Sequence, residues 1–382
     1  MITRAVEAVL RNRLANYPAV ALDGPRQSGK TTLARSLNGL YFDIEQQADQ
    51  TRLDLKWSEI VKDRQLVVLD EAQQCPEIFP RLRGAIDNAR DRTGRFLLLG
   101  SVSPALKMHV SESLAGRLAL VELTPFLLAE LSDIKLDDLW LHGGYPEGGA
   151  PHPKRFPKWQ LDYLSLLAQR DLPTWGLPAK PQVTDRLLRM IAAVHGRLWN
   201  ASQIGQALGL SHTTVNNYVD YLEGAFLVRR LLPYSGNLKK RLVRSPRLYW
   251  RDTGLLHAML RVQDYHDLLG QPWVGFSWEG FVIEQILGTL QNLDCQIDPC
   301  FFRTSDGYEI DLMFRAAGKR WAIEIKLAAE ASPDDLARLN KAADMVAADM
   351  RILVTQSPES TVSANQGVCN LPDFLQILKE SE

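Results

Sequence analysis

The chain has 382 residues, which is too long for one ordinary core and matches two or three domains of about 100–200 residues each. Its composition, 46% hydrophobic and 23% charged, is that of a folded globular protein and excludes collagen-like and largely disordered chains. The 44 basic and 45 acidic residues give a net charge of -1, so any nucleic-acid-binding surface must be local.

Cysteine spacing and hydropathy indicate the cellular compartment. The four cysteines form no CxxC pair, so neither a disulfide framework nor a zinc knuckle is expected, and a reducing cytoplasm fits. Charged residues interrupt the apolar residues of segment 1–11, unlike in a signal peptide. No stretch approaches the ~18 uncharged apolar residues of a membrane span. We therefore expect a cytoplasmic protein without a membrane partner.

The pattern GxxxxGK[ST] at residues 24–31 is the most specific motif in the chain. The apolar run 19–22 and the segment 33–37 match the strand and helix that this loop requires, because its backbone N–H groups surround phosphates at a helix N-terminus. Lys30 is then expected to contact the β- and γ-phosphates of a nucleotide, and Thr31 to bind Mg²⁺. The alternative is a chance glycine-rich turn. The predicted nucleotide-binding residues are Gly24, Pro25, Arg26, Gln27, Ser28, Gly29, Lys30, Thr31 and Thr32.

An acidic pair follows the continuous apolar run 66–69, which is typical of a strand covered on both faces. Asp70 is expected to hold Mg²⁺ through water, and Glu71 to orient and deprotonate the water that attacks the nucleotide. Lys30 and Glu71 are therefore predicted catalytic residues. The alternative is a solvated strand end.

Two further strands are predicted at residues 95–101 and 118–123, and with 41–44 they complete five strands of an α/β sheet. Ser101 stands at the carboxyl end of its strand, where open α/β sheets bind ligands. We therefore expect Ser101 to touch the γ-phosphate or the attacking water, with Ser103 as the nearby substitute. A plain turn serine is the other possibility.

The order of these parts resembles that of the AAA+ ATPases: a P-loop, an Asp-Glu strand, a polar residue after the next strand, and residues 112–117 before the fifth strand. The resemblance implies that Arg117 is an arginine finger, which acts on the nucleotide of a neighbouring subunit, and hence that the protein is a homo-oligomer. Alternatively, Arg117 only caps a helix or pairs with an acidic residue.

Residues 139–146 look like the Gly-Gly-x-Pro element of the archaeal-ATPase and signalling-ATPase relatives of AAA+ proteins. In those relatives the lid meets the nucleotide at this element, so the resemblance adds Gly144 and Pro146 to the nucleotide-binding residues. Paired glycines let backbone approach a ligand, and proline restricts the following turn. The same properties describe any tight loop.

Helix-turn-helix spacing begins at residue 201. One helix is expected to end at Gly209 and the next to be capped by Ser211, and strands at 225–232 and 247–250 would complete a winged helix. Segment 211–224 contains no Lys or Arg, so packing or assembly is favoured over the reading of bases. The apolar face of the second helix is predicted to consist of Val215, Tyr218, Val219 and Leu222.

The densest basic run spans residues 239–251, with six cations and no acid until Asp252. With Tyr249 and Trp250 interleaved, it is a candidate surface for a nucleic-acid backbone. A solvated face, or salt bridges to another subunit, explains it equally. The predicted nucleic-acid-binding residues are Lys239, Lys240, Arg241, Arg244, Arg247 and Arg251.

Segment 244–254 resembles the Lys-Ser-Pro-Lys-x-Tyr-x-x-Asp-x-Gly signature of a large bacterial and archaeal group of AAA-type ATPases with an uncharacterised C-terminal region. Arg244 and Arg247 replace the usual lysines, which preserves the charge but not its geometry.

The last third holds a second chemical pattern on two predicted strands joined by a turn at residues 317–319. Asp311 and Glu324 would hold Mg²⁺, Glu279 could add a carboxylate, and Lys326 would orient or activate a nucleophile for phosphodiester hydrolysis. The pattern resembles the PD-(D/E)xK nuclease superfamily, whose cores also occur as inactive binding platforms. Lys326 simply pairing with Glu324 is the structural alternative.

We therefore predict an α/β protein in three parts. Residues 1–150 would form a P-loop AAA+ core with a parallel sheet, residues 151–265 a helical lid and winged helix, and residues 266–382 an α/β nuclease-like domain. The predicted function is Mg²⁺-dependent ATP hydrolysis, with ATP and Mg²⁺ as cofactors, coupled to DNA or RNA through the C-terminal half. The alternative is an ATP-dependent regulatory or assembly switch that binds a protein and carries an inactive nuclease-like domain.

Overall fold

The structure is a computed structural model that describes residues 2–100, 114–236 and 242–381. Its N-terminal part contains a five-stranded parallel sheet in the order β2-β3-β4-β1-β5. The strands are β1 (Ala19–Asp23), β2 (Leu40–Asp43), β3 (Val67–Asp70), β4 (Phe96–Leu99) and β5 (Leu118–Glu122). The predicted α/β fold with five parallel strands is confirmed, and each strand lies within two residues of its expected place.

Four of the described helices cover the two faces of this sheet, because successive side chains of each apolar strand point in opposite directions. Ala19, Ala21 and their neighbours in β3 and β4 pack against the helices Gln47–Ile60 and Ile78–Asp87. Val20, Leu22 and the alternate residues of β3, β4 and β5 pack against the helices Glu7–Asn16 and Lys30–Ser36.

The middle of the chain is mostly helical and forms a core of its own. Its described helices are Leu136–His142, Lys158–Leu166 with its continuation through Leu167–Asp171 to Leu172–Thr174, Pro181–Ala193, Ala201–Leu208, His212–Gly224, Thr253–Met259 and Tyr265–Leu269.

The helix-turn-helix segment follows from local capping. Gly209 ends the helix Ala201–Leu208 with a φ of 70°, and the hydroxyl of Ser211 accepts a hydrogen bond from the Thr214 N–H at the start of the helix His212–Gly224. The four apolar side chains predicted for the second helix are buried.

The C-terminal sheet has eight strands in the order β12-β13-β11-β10-β9-β8-β6-β7. The strands are β6 (Val228–Pro233), β7 (Arg247–Trp250), β8 (Cys300–Arg303), β9 (Glu309–Ala316), β10 (Lys319–Ile325), β11 (Met350–Thr355), β12 (Thr361–Val362) and β13 (Gln366–Asn370). The helices Val274–Asn292 and Leu371–Ser381 cover one face, and Pro333–Met345 covers the other.

The two strands predicted for a wing extend this sheet. β6 pairs antiparallel with β7 and parallel with β8, with Leu232 opposite Cys300. The middle and C-terminal parts therefore share one continuous sheet across residue 265. Strands β9 and β10 form the predicted hairpin, and its turn places Ala317 and Gly318 at φ values of 48° and 71°.

Candidate functional site

The loop between β1 and the helix Lys30–Ser36 depends on residues at positive φ. Gly24 has a φ of 142°, and a Cβ there would lie 2.2 Å from the carbonyl oxygen of Leu123. Gln27 and Gly29 have φ values of 61° and 98°. Only glycine fits the close approach at residue 24, so the local backbone explains this part of the motif.

Lys30 points into the loop that precedes it. Its Nζ donates hydrogen bonds to the carbonyl oxygens of Gly24 and Pro25, both at 2.8 Å. Burial lowers the pKa of Lys30 to about 8, although the carboxylates of Asp23 and Glu71 oppose the shift. The ammonium group is thus held by backbone oxygens at the place where phosphates bind in this motif.

Thr31 and Asp70, predicted to act together, are in direct contact. The Thr31 hydroxyl donates to Asp70 Oδ2 at 2.7 Å, and the Tyr41 hydroxyl donates to the same oxygen at 2.5 Å. Ser28 Oγ, in the loop itself, is buried and has no hydrogen-bond partner among the described residues. A hydroxyl, a carboxylate and an unpartnered polar atom beside Lys30 fit a nucleotide with Mg²⁺.

Glu71 follows Asp70 in the left-handed region, with a φ of 51°. Its carboxylate accepts a hydrogen bond from the side-chain amide of Gln73. Burial raises the pKa of Glu71, against the opposing charge of Arg26. A half-buried carboxylate with a raised pKa suits the predicted role of a base.

Side chains that the sequence analysis missed connect the loop to the rest of the chain. Arg4 donates to the Ser28 carbonyl oxygen at 2.9 Å and pairs with Glu130 at 3.0 Å. Arg26, within the loop, pairs with Asp171 at 2.5 Å. No motif marks Arg4 or Asp171, because their partners are 24 to 145 positions away.

A small cleft adjoins the loop at Pro25. Gly144 lines it, whereas Pro146 does not. The backbone N–H of Gly144 donates to Asp252 Oδ2 at 2.8 Å, so this N–H is used within the protein. The cleft is also lined by Thr124, Pro125, Phe126, Leu127, Leu139, Gly143, Phe226, Arg251, Asp252, Thr253, Phe281, Glu284 and Gln285.

Arg117 lies at the amino end of β5, whereas the loop follows the carboxyl end of β1. Because the two strands are parallel and in register, the five residues of β1 separate these edges by roughly 16 Å. Arg117 pairs with Asp87, with 2.8 Å between Nη2 and Oδ1. It therefore stands away from the nucleotide site of its own chain.

The predicted Ser101, with Ser103, lies outside the described residues.

Two of the three C-terminal carboxylates predicted to bind metal, Glu279 and Asp311, come together around a cation. Arg247 Nη1 lies 2.6 Å from Glu279 Oε1 and 3.2 Å from Asp311 Oδ1. Asp311 Oδ2 accepts a hydrogen bond from the Ile325 N–H at 2.9 Å. Burial and the charge of Asp311 raise the pKa of Glu279, and they do the same for Glu324.

The remaining pair follows the structural alternative. Lys326 Nζ lies 2.7 Å from Glu324 Oε1. Glu324 Oε2 is buried without a hydrogen-bond partner among the described residues. Across residues 2–100, 114–236 and 242–381, no three His, Cys, Asp or Glu side chains are grouped to hold a metal ion. Because Arg247 already lies between Glu279 and Asp311, these two carboxylates do not fit the predicted nuclease metal centre.

The predicted nucleic-acid surface needs a correction at two positions. Arg247 is enclosed by carboxylates, and Arg251 pairs with Glu122 at 2.6 Å and with Glu284 at 3.0 Å. Arg247 is buried and Arg251 is about 10% exposed, so their guanidinium groups are engaged by these carboxylates and not available to phosphates. Arg244 is exposed. The other predicted residues, Lys239, Lys240 and Arg241, lie outside the described part of the chain.

Three family models match successive parts of the chain. Residues 16–132 match an AAA domain, residues 133–266 match the domain of unknown function DUF8612, and residues 274–374 match the domain of unknown function DUF4143. The chain thus contains an AAA-type ATPase domain, which agrees with its parallel sheet and P-loop.

Two mycobacterial proteins are similar to most of the chain. They are the uncharacterized proteins Mb2031c of Mycobacterium bovis and Rv2008c of Mycobacterium tuberculosis. Each is 38% identical over 329 residues, which is 85% of this chain and 73% of the relative. The chain belongs to their family.

Solved structures resemble this member of the family more weakly. The Walker-type ATPase paby2304 of Pyrococcus abyssi is 18% identical and has a TM-score of 0.47, over 68% of this chain and 96% of its own. AMPPCP-bound DnaA from Aquifex aeolicus is 15% identical and has a TM-score of 0.26, over 57% of this chain and 85% of its own.

Within the described residues, no helix is both long and apolar enough to cross a bilayer.

Proposed function

We propose that the protein is a Mg²⁺-dependent ATPase that uses ATP binding and hydrolysis to switch its assembly with a protein partner. The observation that carries the ATPase proposal is the contact between Thr31 and Asp70, 2.7 Å apart beside the Lys30 ammonium group. A hydroxyl, a carboxylate and a lysine at the end of a parallel sheet are what P-loop hydrolysis of ATP requires.

Each of these side chains has a distinct role in the proposed reaction. Lys30 exchanges its two carbonyl partners for phosphate oxygens, and Glu71 orients the attacking water and accepts its proton. Thr31 and Asp70 would hold Mg²⁺, which neutralises the charge that develops on the phosphates. Tyr41 supports Asp70 through its hydrogen bond.

Contacts around the loop suggest how a nucleotide could affect the rest of the chain. Arg26 belongs to the loop and pairs with Asp171 in the helical middle part. Arg251 pairs with Glu122 at the end of β5 and with Glu284 in the helix Val274–Asn292. A change in the loop on ATP binding would therefore act on ion pairs that reach the C-terminal half.

A protein partner is favoured over nucleic acid by the positions of polar groups. Arg247 and Arg251 are in internal ion pairs. In the second helix of the helix-turn-helix segment, Asn216 accepts a hydrogen bond from the Trp199 indole, so this amide is engaged within the protein. Use of the helix-turn-helix segment for assembly, with an inactive nuclease-like domain, agrees with both observations.

Coupling to DNA or RNA is the second candidate. Arg244, within the basic run, is exposed, which supports a local contact with a nucleic-acid backbone. Both versions include a homo-oligomer in which Arg117 leaves Asp87 and reaches the nucleotide of a neighbouring subunit.

Steady-state ATP turnover tests the proposal. Thr31→Val keeps the shape of the side chain but removes its hydroxyl, and we expect kcat to fall at least about 100-fold, whereas the matched control Thr31→Ser keeps most of the activity. Absence of Mg²⁺-dependent turnover in the wild type, or equal rates for Thr31→Val and Thr31→Ser, would contradict the ATPase proposal. Stimulation by DNA or RNA that disappears with added salt would favour the second candidate.

A further inference from the structure

A buried ion cluster joins the middle of the chain to its C-terminal sheet. Arg247, which is only 4% exposed, stands among Glu279, Glu309 and Asp311. Its Nη1 is shared by Glu279 and Asp311, at 2.6 and 3.2 Å, and its Nη2 contacts Glu309. The other oxygen of Asp311 is occupied by the Ile325 N–H. Two of the three carboxylates predicted to bind metal thus already share a cation.

The position of this guanidinium group is incompatible with a metal in the same place. Mg²⁺ needs oxygen ligands at about 2.0–2.1 Å in near-octahedral geometry. A metal bound by Glu279 Oε1 and Asp311 Oδ1 would compete with Arg247 Nη1 for these two oxygens, because that nitrogen lies 2.6 Å from the first and 3.2 Å from the second. Arginine stays protonated in proteins, so its charge would also repel a divalent ion.

Neighbouring groups hold Arg247 in this place. Arg247 begins β7 and pairs with Leu231 of β6. Tyr249, two residues further and on the same face of the strand, donates its hydroxyl to Glu279. The cluster therefore connects the β6–β7 hairpin to β9 and to the helix Val274–Asn292.

We propose that Arg247 is the permanent cation of this cluster, in place of a divalent metal, so that Glu279 and Asp311 do not form a metal-dependent nuclease centre. The carboxylates act with Arg247 as an internal ion cluster that fastens the hairpin to the sheet. This conclusion is independent of ATP hydrolysis, because the cluster shares no residue with the P-loop site.

Metal binding by the nucleotide-free wild type gives the first test. Mn²⁺ is titrated into the full chain and into Asp311→Asn, with bound metal counted by electron paramagnetic resonance. Because both proteins contain the P-loop, a difference between them reports on the cluster alone. We expect the same number of Mn²⁺ ions in both. A tight Mn²⁺ site, or Mn²⁺-dependent cleavage of DNA or RNA, that Asp311→Asn removes would overturn the proposal.

Stability gives the second test, with Arg244→Met as the matched control because Arg244 is exposed three residues earlier. We expect Arg247→Met to lower the urea midpoint or the yield of folded protein, because it leaves buried carboxylates without their cation. Adding Glu279→Gln to Arg247→Met should recover part of that loss. An Arg247→Met protein as stable as Arg244→Met would overturn the proposal, as would a double variant that recovers nothing.

Discussion

The carboxylate of Asp252 accepts a hydrogen bond from the backbone N–H of Gly144, with 2.8 Å between the two atoms. It also caps the helix Thr253–Met259 by accepting from the Leu255 N–H at 2.9 Å. A Cβ on Gly143 would lie 2.2 Å from Asp252 Oδ1, and one on Gly254 would lie 1.9 Å from the His142 carbonyl oxygen. The Gly-Gly-x-Pro element and the Asp-x-Gly end of segment 244–254 are therefore in direct contact with each other.

Asp252→Asn should destabilise the protein, because the amide N–H₂ would face one of the two backbone N–H donors that the carboxylate now satisfies. We expect a loss of about 1–3 kcal/mol in the free energy of unfolding, measured with urea. Asp264→Asn is the matched control, since Asp264 caps the helix Tyr265–Leu269 but is exposed. Equal losses in the two variants would show that the contact with Gly144 adds nothing beyond capping.

Two glycine substitutions should have opposite effects. Gly24→Ala forces a Cβ against the Leu123 carbonyl oxygen at a φ of 142°, so ATP turnover should be lost and stability lowered. Gly84→Ala lies in the helix Ile78–Asp87, where a Cβ meets nothing within 4 Å, and should raise the free energy of unfolding by about 0.5–1 kcal/mol. ATPase assays and urea unfolding of both proteins check this prediction. Full activity in Gly24→Ala would contradict it.

Variants of Arg117 and Asp87 distinguish an arginine finger from a structural ion pair. The pair is partly exposed, so either alanine variant should change stability little. As a finger, Arg117 is needed for turnover, so Arg117→Ala should lower kcat about 10³-fold or more in the assembled protein. Asp87→Ala frees Arg117 and should keep or raise the rate. If the two variants turned over ATP equally fast, the pair would be structural only.

Buried His195 should make the protein less stable in mild acid. Its Nδ1 accepts from the Trp250 N–H at 3.0 Å and its Nε2 lies 3.0 Å from the Phe276 carbonyl oxygen, so the neutral ring is fully bonded. Burial lowers its pKa to about 3, with His257 acting in the same direction and Glu284 against it.

The direction of the pH dependence follows from this lowered pKa. Above about pH 6.5 the His195 ring is neutral in both the folded and the unfolded state. Below this pH the unfolded chain binds a proton that the folded state does not bind, so the free energy of unfolding falls as the pH falls. Between pH 7.5 and 5.5 we expect His195 to account for a loss of about 1.4 kcal/mol. Urea unfolding of the wild type and His195→Gln at both pH values measures this share. A difference between them that stays constant with pH would contradict the prediction.

Local patterns in the sequence were enough to predict the strands of the N-terminal part. Short apolar runs predicted the five parallel strands, and the helix-turn-helix segment followed from Gly209 and Ser211, because capping acts between neighbours along the chain. Lys30, Thr31 and Asp70 were found for a related reason, since the P-loop and the next buried strand end at the same edge of a parallel sheet. For these residues, spacing along the chain is enough to predict which side chains meet.

The opposite holds for Arg247 and Arg251, which belong to a basic run in the sequence and to buried ion pairs in the fold. Their partners lie 32 to 129 positions away, on β5, β9 and the helix Val274–Asn292. The sequence by itself therefore determined the nucleotide motif, the five N-terminal strands and the capped helices. Only the tertiary structure decided which charges face solvent and which neutralise each other, because burial and ion pairing depend on segments that meet only when the chain folds.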